Sequence, residues 1–247
     1  MPSIFQIVFL TVIIFVFDKT EVQAQYQTSR YEFGVNVGTL VYQGDLTPGY
    51  AGDAKSLKPS LGMSVSRLLT RHLALSANLL VGKLAADESK YTDPQWRKDR
   101  SFNFTTRLTE LSALAVWNFN KIREYYQPRF MPYVFAGAGL TLLHIRKDWS
   151  KVNTGVYGEV SQVQTGLAID TLQSPHKVIA ILPFGIGLKY RFTPQLFFNA
   201  AITYRLITSD YIDGFKYAGN AAKRDSYYGI SGGILYTFGS YKCPPVK

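Results

Sequence analysis

The sequence predicts an all-β chain: an antiparallel, up-and-down transmembrane β-barrel of about eight strands. Three observations predict it. Segments of roughly strand length alternate large apolar side chains with small or polar ones, the period of two that puts successive residues on opposite faces of a sheet. The connections between them alternate long and short. The last segment, from Tyr227 to Phe238, puts Tyr228, Ile230, Ile234, Tyr236 and Phe238 on one face and Tyr227, Gly229, Ser231, Gly233 and Thr237 on the other. A strand of a soluble sandwich would carry charge opposite its core face. A narrow barrel interior instead asks for small residues, with lipid on the bulky side.

The totals agree with this class. The 247 residues suit one domain and are 47% hydrophobic and 15% aromatic, an aromatic load that strands and interfacial girdles use. No apolar run after the N-terminal one is long enough to cross a bilayer as a helix. The single cysteine, Cys243, rules out an internal disulfide framework or a cysteine zinc site. The net charge of +10 comes from dispersed basic residues, without a recognition helix or stacking platform, so nucleic acid is not the expected partner. Cations on the outer loops are suited to anionic lipid headgroups.

Residues 1–24 read as a secretory signal peptide. Ile4 to Phe17 is the apolar core, and Val22-Gln23-Ala24 supplies small residues before a cleavage at Gln25. The n-region lacks Lys and Arg. Residues 25–247 are then the barrel with a short periplasmic C-terminal tail from Gly239.

The first strand, Tyr31 to Tyr42, turns Tyr31, Phe33, Val35, Val37 and Val41 outward and Glu32, Gly34, Asn36 and Gly38 inward. Turn residues between Gln43 and Lys58 make the first outer loop. The second strand, Ser60 to Leu68, sets Leu61, Met63 and Val65 against Gly62, Ser64 and Ser66. After the short turn Leu69 to His72, the third strand runs from Leu73 to Gly82, and a polar segment follows from Ala85 to Arg100.

The fourth strand, Phe102 to Trp117, is irregular. Phe104, Thr106 and Leu108 share one parity, whereas Leu111, Ala113, Ala115 and Trp117 share the other; a β-bulge near Thr109-Glu110 would turn both sets to the same side. The fifth strand, Tyr133 to Leu143, is rich in Gly and Ala, and its pattern does not say which face is outward. Arg146 to Lys177 is the longest loop. A further pair of strands around Val156 to Asp170 would raise the count to ten. In the sixth strand Val178, Ala180, Leu182, Phe184, Ile186 and Leu188 face out, and in the seventh Leu196, Phe198, Ala200, Ile202, Tyr204 and Leu206 do so, with Asn199, Thr203 and Arg205 inside.

Several segments together resemble those of the PorG-like family of small outer-membrane barrels associated with type IX secretion. They include Gly34-Val35-Asn36-Val37-Gly38, Tyr42-Gln43-Gly44-Asp45-Leu46, Pro132 to Gly139, Pro183 to Tyr190, and Tyr204-Arg205 with Thr208 to Asp213. Where such barrels often carry a paired Asp-Asp, this chain has Asp213-Gly214. The resemblance implies an outer-membrane barrel of OmpA/OmpX-like architecture, a part in type IX secretion by contact with periplasmic ring components, and no catalytic residues.

The candidate sites are few. Arg205 with Glu32 and Glu110 forms a candidate ion-pair cluster in the lumen, read as a plug because an eight-stranded lumen is filled by side chains and buried charge must be paired; a proton or ion path is the alternative. Asp210, Asp213 and Asp225 near Asn220 do not have calcium-loop spacing and read as solvated loop acids. His72, His144 and His176 lack metal spacing, and no nucleophile motif supports a triad at the rim. Cys243 beside Pro244-Pro245 is either an incidental thiol or a contact to a periplasmic partner through a mixed disulfide. The expected protein is therefore non-enzymatic, without cofactor or metal, a monomeric barrel in outer-membrane lipid serving as a secretion or envelope scaffold. The alternative is a surface receptor or lipid- or ligand-binding barrel.

Overall fold

Eight strands close into one antiparallel barrel, each paired with its sequence neighbours and the last with the first. They are β1 (Tyr31–Gln43), β2 (Lys58–Leu68), β3 (Leu73–Asp87), β4 (Asn103–Asn118), β5 (Phe130–Asp148), β6 (Val178–Arg191), β7 (Leu196–Ile207) and β8 (Ser226–Phe238). The computed structural model describes residues 31–44, 46–47, 52–53, 56–90, 95–120, 128–150, 152, 156, 165–169, 177–207, 212 and 226–238. The expected signal peptide, the acidic loop positions Asp210, Asp213 and Asp225, His176 and the tail with Cys243 lie outside these residues. A 3-10 turn, Glu88–Lys90, and a short helix, Gln95–Arg100, connect β3 to β4.

The wall is closed, with one break in its ladders, where Gly137 and Ala138 of β5 face Leu182 and Pro183 of β6. β1 pairs β8 from Tyr31↔Phe238 to Gln43↔Ser226, so the closing seam is as regular as the hairpins and leaves no strand edge. Closure with eight strands answers the count of eight against ten. Short connections lie at one end, 69–72 and 192–195, together with 119–129; the longer ones lie at the other, as in an up-and-down barrel with short periplasmic turns.

β4 has no bulge. Its register against β3 runs unbroken from Leu73↔Trp117 to Asp87↔Asn103, and against β5 from Asn103↔Asp148 to Asn118↔Tyr133. The sequence irregularity instead marks an inversion of polarity along the wall. Near the long-loop end Phe104, Thr106 and Leu108 face inward and are buried, while Thr105 and Arg107 face out and are exposed. There the strands project beyond the lipid, water wets the outside, and the apolar side chains turn in. β3 and β5 show the same change: β3 continues past Gly82 to Asp87, and β5 extends from Phe130 to Asp148, beyond the expected ends.

The undecided face of β5 is settled by packing. Tyr133 and Phe135 point into the barrel, directly opposite Gly187 and Gly185 of β6. The Tyr133 ring occupies the space that a side chain on Gly187 would need, and at Gly185 the Phe135 ring and the Ile202 carbonyl together do so. Ala136, Ala138 and Leu140 consequently face out.

The outer surface of the mid-barrel is apolar. Val37, Met63, Leu182, Ile186, Ile202 and Ile230 stand exposed, with Ile186 at 60% of its full accessibility. Toward the short-turn end the belt finishes in an aromatic rim: Tyr31 stacks on Phe238 (5.9 Å between centroids), Phe130 contacts Tyr190 (5.1 Å), and Trp117 stacks on His72 (5.2 Å). Toward the other end Phe184 touches Tyr204 (5.5 Å), whose hydroxyl donates to Gln43 Oε1 at 2.9 Å. Aromatic rings with polar tips belong at the two edges of a hydrocarbon layer.

Candidate functional site: the lumen and its two ion pairs

The inward positions form three layers. At the outer mouth Leu40, Tyr42, Leu84, Phe102, Phe104 and Leu143 build one apolar cluster with loop residues Leu46 and Ile212. Thr106 O–H donates to the Ile212 carbonyl at 2.8 Å, tying the β7–β8 connection into this plug. At the periplasmic end Met131, Phe197 and Leu235 pack together, and Tyr133 and Phe135 pack with Ala74, Leu114 and Val116. Between these ends lies the polar layer.

Two ion pairs cross that layer. Arg205 Nε–H on β7 donates to Glu110 Oε2 on β4 at 2.6 Å, with both residues nearly inaccessible (5% and 2%). The Tyr227 hydroxyl donates to the same carboxylate oxygen at 3.1 Å and lies 3.4 Å from Thr141 Oγ1. The Arg205 guanidinium also sits 5.2 Å from the Tyr227 ring centroid. Near the periplasmic end Lys189 Nζ on β6 contacts Glu32 Oε2 on β1 at 2.5 Å and lies 5.5 Å from the Tyr133 ring. Tyr133 O–H donates to Asn199 Oδ1 at 2.6 Å, and Asn199 Nδ2–H donates to Asn36 Oδ1 at 3.2 Å.

The three charged residues that the sequence groups together are therefore divided. Arg205 pairs with Glu110, and Glu32 pairs with Lys189. Lys189 was legible by alternation alone, since its neighbours Leu188 and Tyr190 face out, but its partner was not. Tyr227, assigned to the small-residue face, supplies the third group of the Glu110 cluster. These contacts link β1 to β6 and β7, β4 to β7 and β8, and β5 to β7 and β8. They brace the lumen across its diameter, where the strand ladders act only around its circumference.

The remaining interior is small and of mixed polarity. A cavity of ≈ 120 Å³ runs between the two ion pairs, bordered by Ser64, Ser76, Asn78 and Ser112 together with Glu110 and the Tyr133 and Phe135 rings. Its hydroxyls suit a few ordered waters. His72 has its Nδ1 2.8 Å from the Asn118 carbonyl oxygen. His144 is on the outer face of β5 opposite Arg107. Among the described residues no group of His, Cys, Asp and Glu has the arrangement of a metal site, and no helix is long and apolar enough to cross a membrane.

A closed wall, an apolar belt exposed all round and aromatic rims above and below require hydrocarbon as the outside solvent. Strand pairing around the closed wall meets most of its backbone donors and acceptors within it, apart from a gap in the β5–β6 ladder at Pro183. The protein is an outer-membrane β-barrel. The chain belongs to the family described as a domain of unknown function, DUF6089, which it matches over residues 7–245. No curated protein matches it.

Among solved structures the chain is similar to OprG, an outer membrane protein of Pseudomonas aeruginosa. Identity is 12%, coverage 87% of this chain and 99% of that one, and the TM-score 0.49. It is also similar to Neisserial surface protein A, with 17% identity, 84% and 97% coverage and a TM-score of 0.48. The third is Ail, the attachment invasion locus protein of Yersinia pestis, with 13% identity, 86% and 100% coverage and a TM-score of 0.46. At these identities the likeness concerns fold alone.

Proposed function

We propose that this barrel is a non-enzymatic, non-conducting scaffold of the outer membrane, an accessory component of a type IX secretion complex of the kind its sequence resembles. The observation that carries the scaffold reading is the interior: apolar clusters fill both ends, and the buried pairs Arg205–Glu110 and Lys189–Glu32 brace the middle. An interior built this way resists deformation and leaves recognition to the loops, the periplasmic turns and the tail. The link to secretion is supported by the segments shared with PorG-like barrels. The periplasmic ring is its proposed partner, reached from the 119–129 connection and from Cys243 in the tail.

The test is deletion of the gene followed by assay of bulk protein secretion, with pull-down of the folded barrel from gently solubilised envelopes. Loss of secretion and co-purified ring components are expected. Normal secretion from the deletion strain would sink the proposal and favour the second reading, a surface receptor or lipid- or ligand-binding barrel. The dispersed positive charge of the chain speaks for that second reading.

A further inference from the structure

The outward face of β3–β5 carries a cationic cluster immediately beyond the apolar belt. Lys83 is the direct cross-strand partner of Arg107, and Arg107 of His144; Arg146, opposite Thr105, stands one outward position further along. All four are exposed. With neighbouring strands about 4.8 Å apart and alternate residues about 6.8 Å apart, the Lys83, Arg107 and Arg146 backbones lie within roughly 12 Å of one another. Their long side chains can therefore converge on one group. Lys83, Arg107 and Arg146, with Thr105, Lys147 and the acid Asp148, border an outer cleft of ≈ 260 Å³ whose lining carries four cations against one carboxylate.

Like charges facing each other across strands destabilise a sheet unless something neutralises them. Among the described residues, none of Lys83, Arg107 or Arg146 has a carboxylate within ion-pair distance. Glu110 points inward to Arg205. Asp87 holds Ser89 and Lys90, and Asp148, at the outer rim of the cleft one outward position beyond Arg146, accepts from the Ser150 N–H. The same strands place Leu79, Leu111 and Leu140 in one cross-strand row below the cluster and Ala77, Ala113 and Ala138 in the next. A cationic cleft above, with an apolar face of alternating bulk beneath it, matches an anionic headgroup with its acyl chains.

We propose that Lys83, Arg107 and Arg146 form a binding site for the phosphate of an outer-leaflet lipid, whose acyl chains lie on the Leu and Ala rows of β3–β5. Guanidinium forks suit phosphate oxygens, and the position at the hydrocarbon boundary lets charge and chains be satisfied together. The site is independent of any secretion role.

The test uses the folded full-length barrel in detergent, with monophosphoryl lipid A and the same acylated disaccharide without phosphate as probes, read by native mass spectrometry. The wild type should retain the phosphorylated form in preference by about tenfold or more, and the triple variant Lys83→Gln/Arg107→Gln/Arg146→Gln should lose that preference. An Arg67→Gln/Arg71→Gln variant, altered at the opposite end of the barrel, should keep it. Heat-modifiable electrophoretic mobility checks that each variant is folded. Equal retention of the two lipids by the wild type, or an unchanged preference in the triple variant, overturns the site. Displacement of the lipid by inorganic phosphate alone overturns the role of the acyl face.

Discussion

Tyr133 of β5 and Gly187 of β6 are direct cross-strand partners, and the Tyr133 ring lies where any side chain on Gly187 would have to go. The ring is held there by its hydroxyl, which donates to Asn199 at 2.6 Å. It cannot swing aside without losing that bond. Gly187→Val is expected to destabilise the barrel by about 1–3 kcal/mol through overpacking. In a Tyr133→Ala background most of that penalty should vanish, because the space is then open. Urea unfolding followed by tryptophan fluorescence measures both; equal penalties in the two backgrounds would show that the ring is not the obstacle.

The Arg205–Glu110 pair gives a second prediction. Glu110→Gln or Arg205→Met alone strands a buried charge or polar group without its partner, at a cost of about 3–5 kcal/mol. The double variant should recover a large part, since removing both partners of a buried pair by groups of similar volume is often close to neutral. Lys189→Met with Glu32→Gln should behave likewise but to a smaller extent, because Glu32 is less deeply buried. Additive losses in either cycle would count against coupling.

Polarity inversion along β4 makes a third. Phe104→Ala should cost about 3–5 kcal/mol, as a buried aromatic in the outer plug. Thr105→Ala, facing water one residue away, should change stability little. A bulged β4 that turned Phe104 to lipid would make the first substitution mild, so a small effect in unfolding experiments would restore that alternative.

The belt supplies a fourth. Ile202 lies on the lipid face between Ile186 and Ile230 of the neighbouring strands. Ile202→Arg near mid-depth should cost about 2–4 kcal/mol in vesicles, against roughly 0–1 kcal/mol for Thr105→Arg at the outer boundary. Comparable effects at the two positions would mean that the hydrocarbon layer does not sit on this belt.

Much of this was written locally. Side chains alternate between faces every residue, so the outward sets of β1, β6, β7 and β8 could be read directly from runs such as Leu182, Phe184, Ile186 and Leu188. Two segments resisted that reading. In β5, Gly and Ala give both faces a similar size, and only the rings of Tyr133 and Phe135 against Gly185 and Gly187 decide the parity. In β4, a strand that leaves the membrane exchanges its apolar face for a polar one, which in one dimension looks like an inserted residue.

Local pattern was enough to place most of the strand segments, the lipid-facing side of most of them, and Glu32 and Arg205 inside; closure of the barrel settled eight strands over ten. Tertiary structure alone decided who pairs with whom. Glu32 and Lys189 are separated by 157 positions, and Glu110 and Arg205 by 95. They meet only because closure of the barrel curves the sheet until non-adjacent strands face each other across the lumen. No period along the chain encodes that distance.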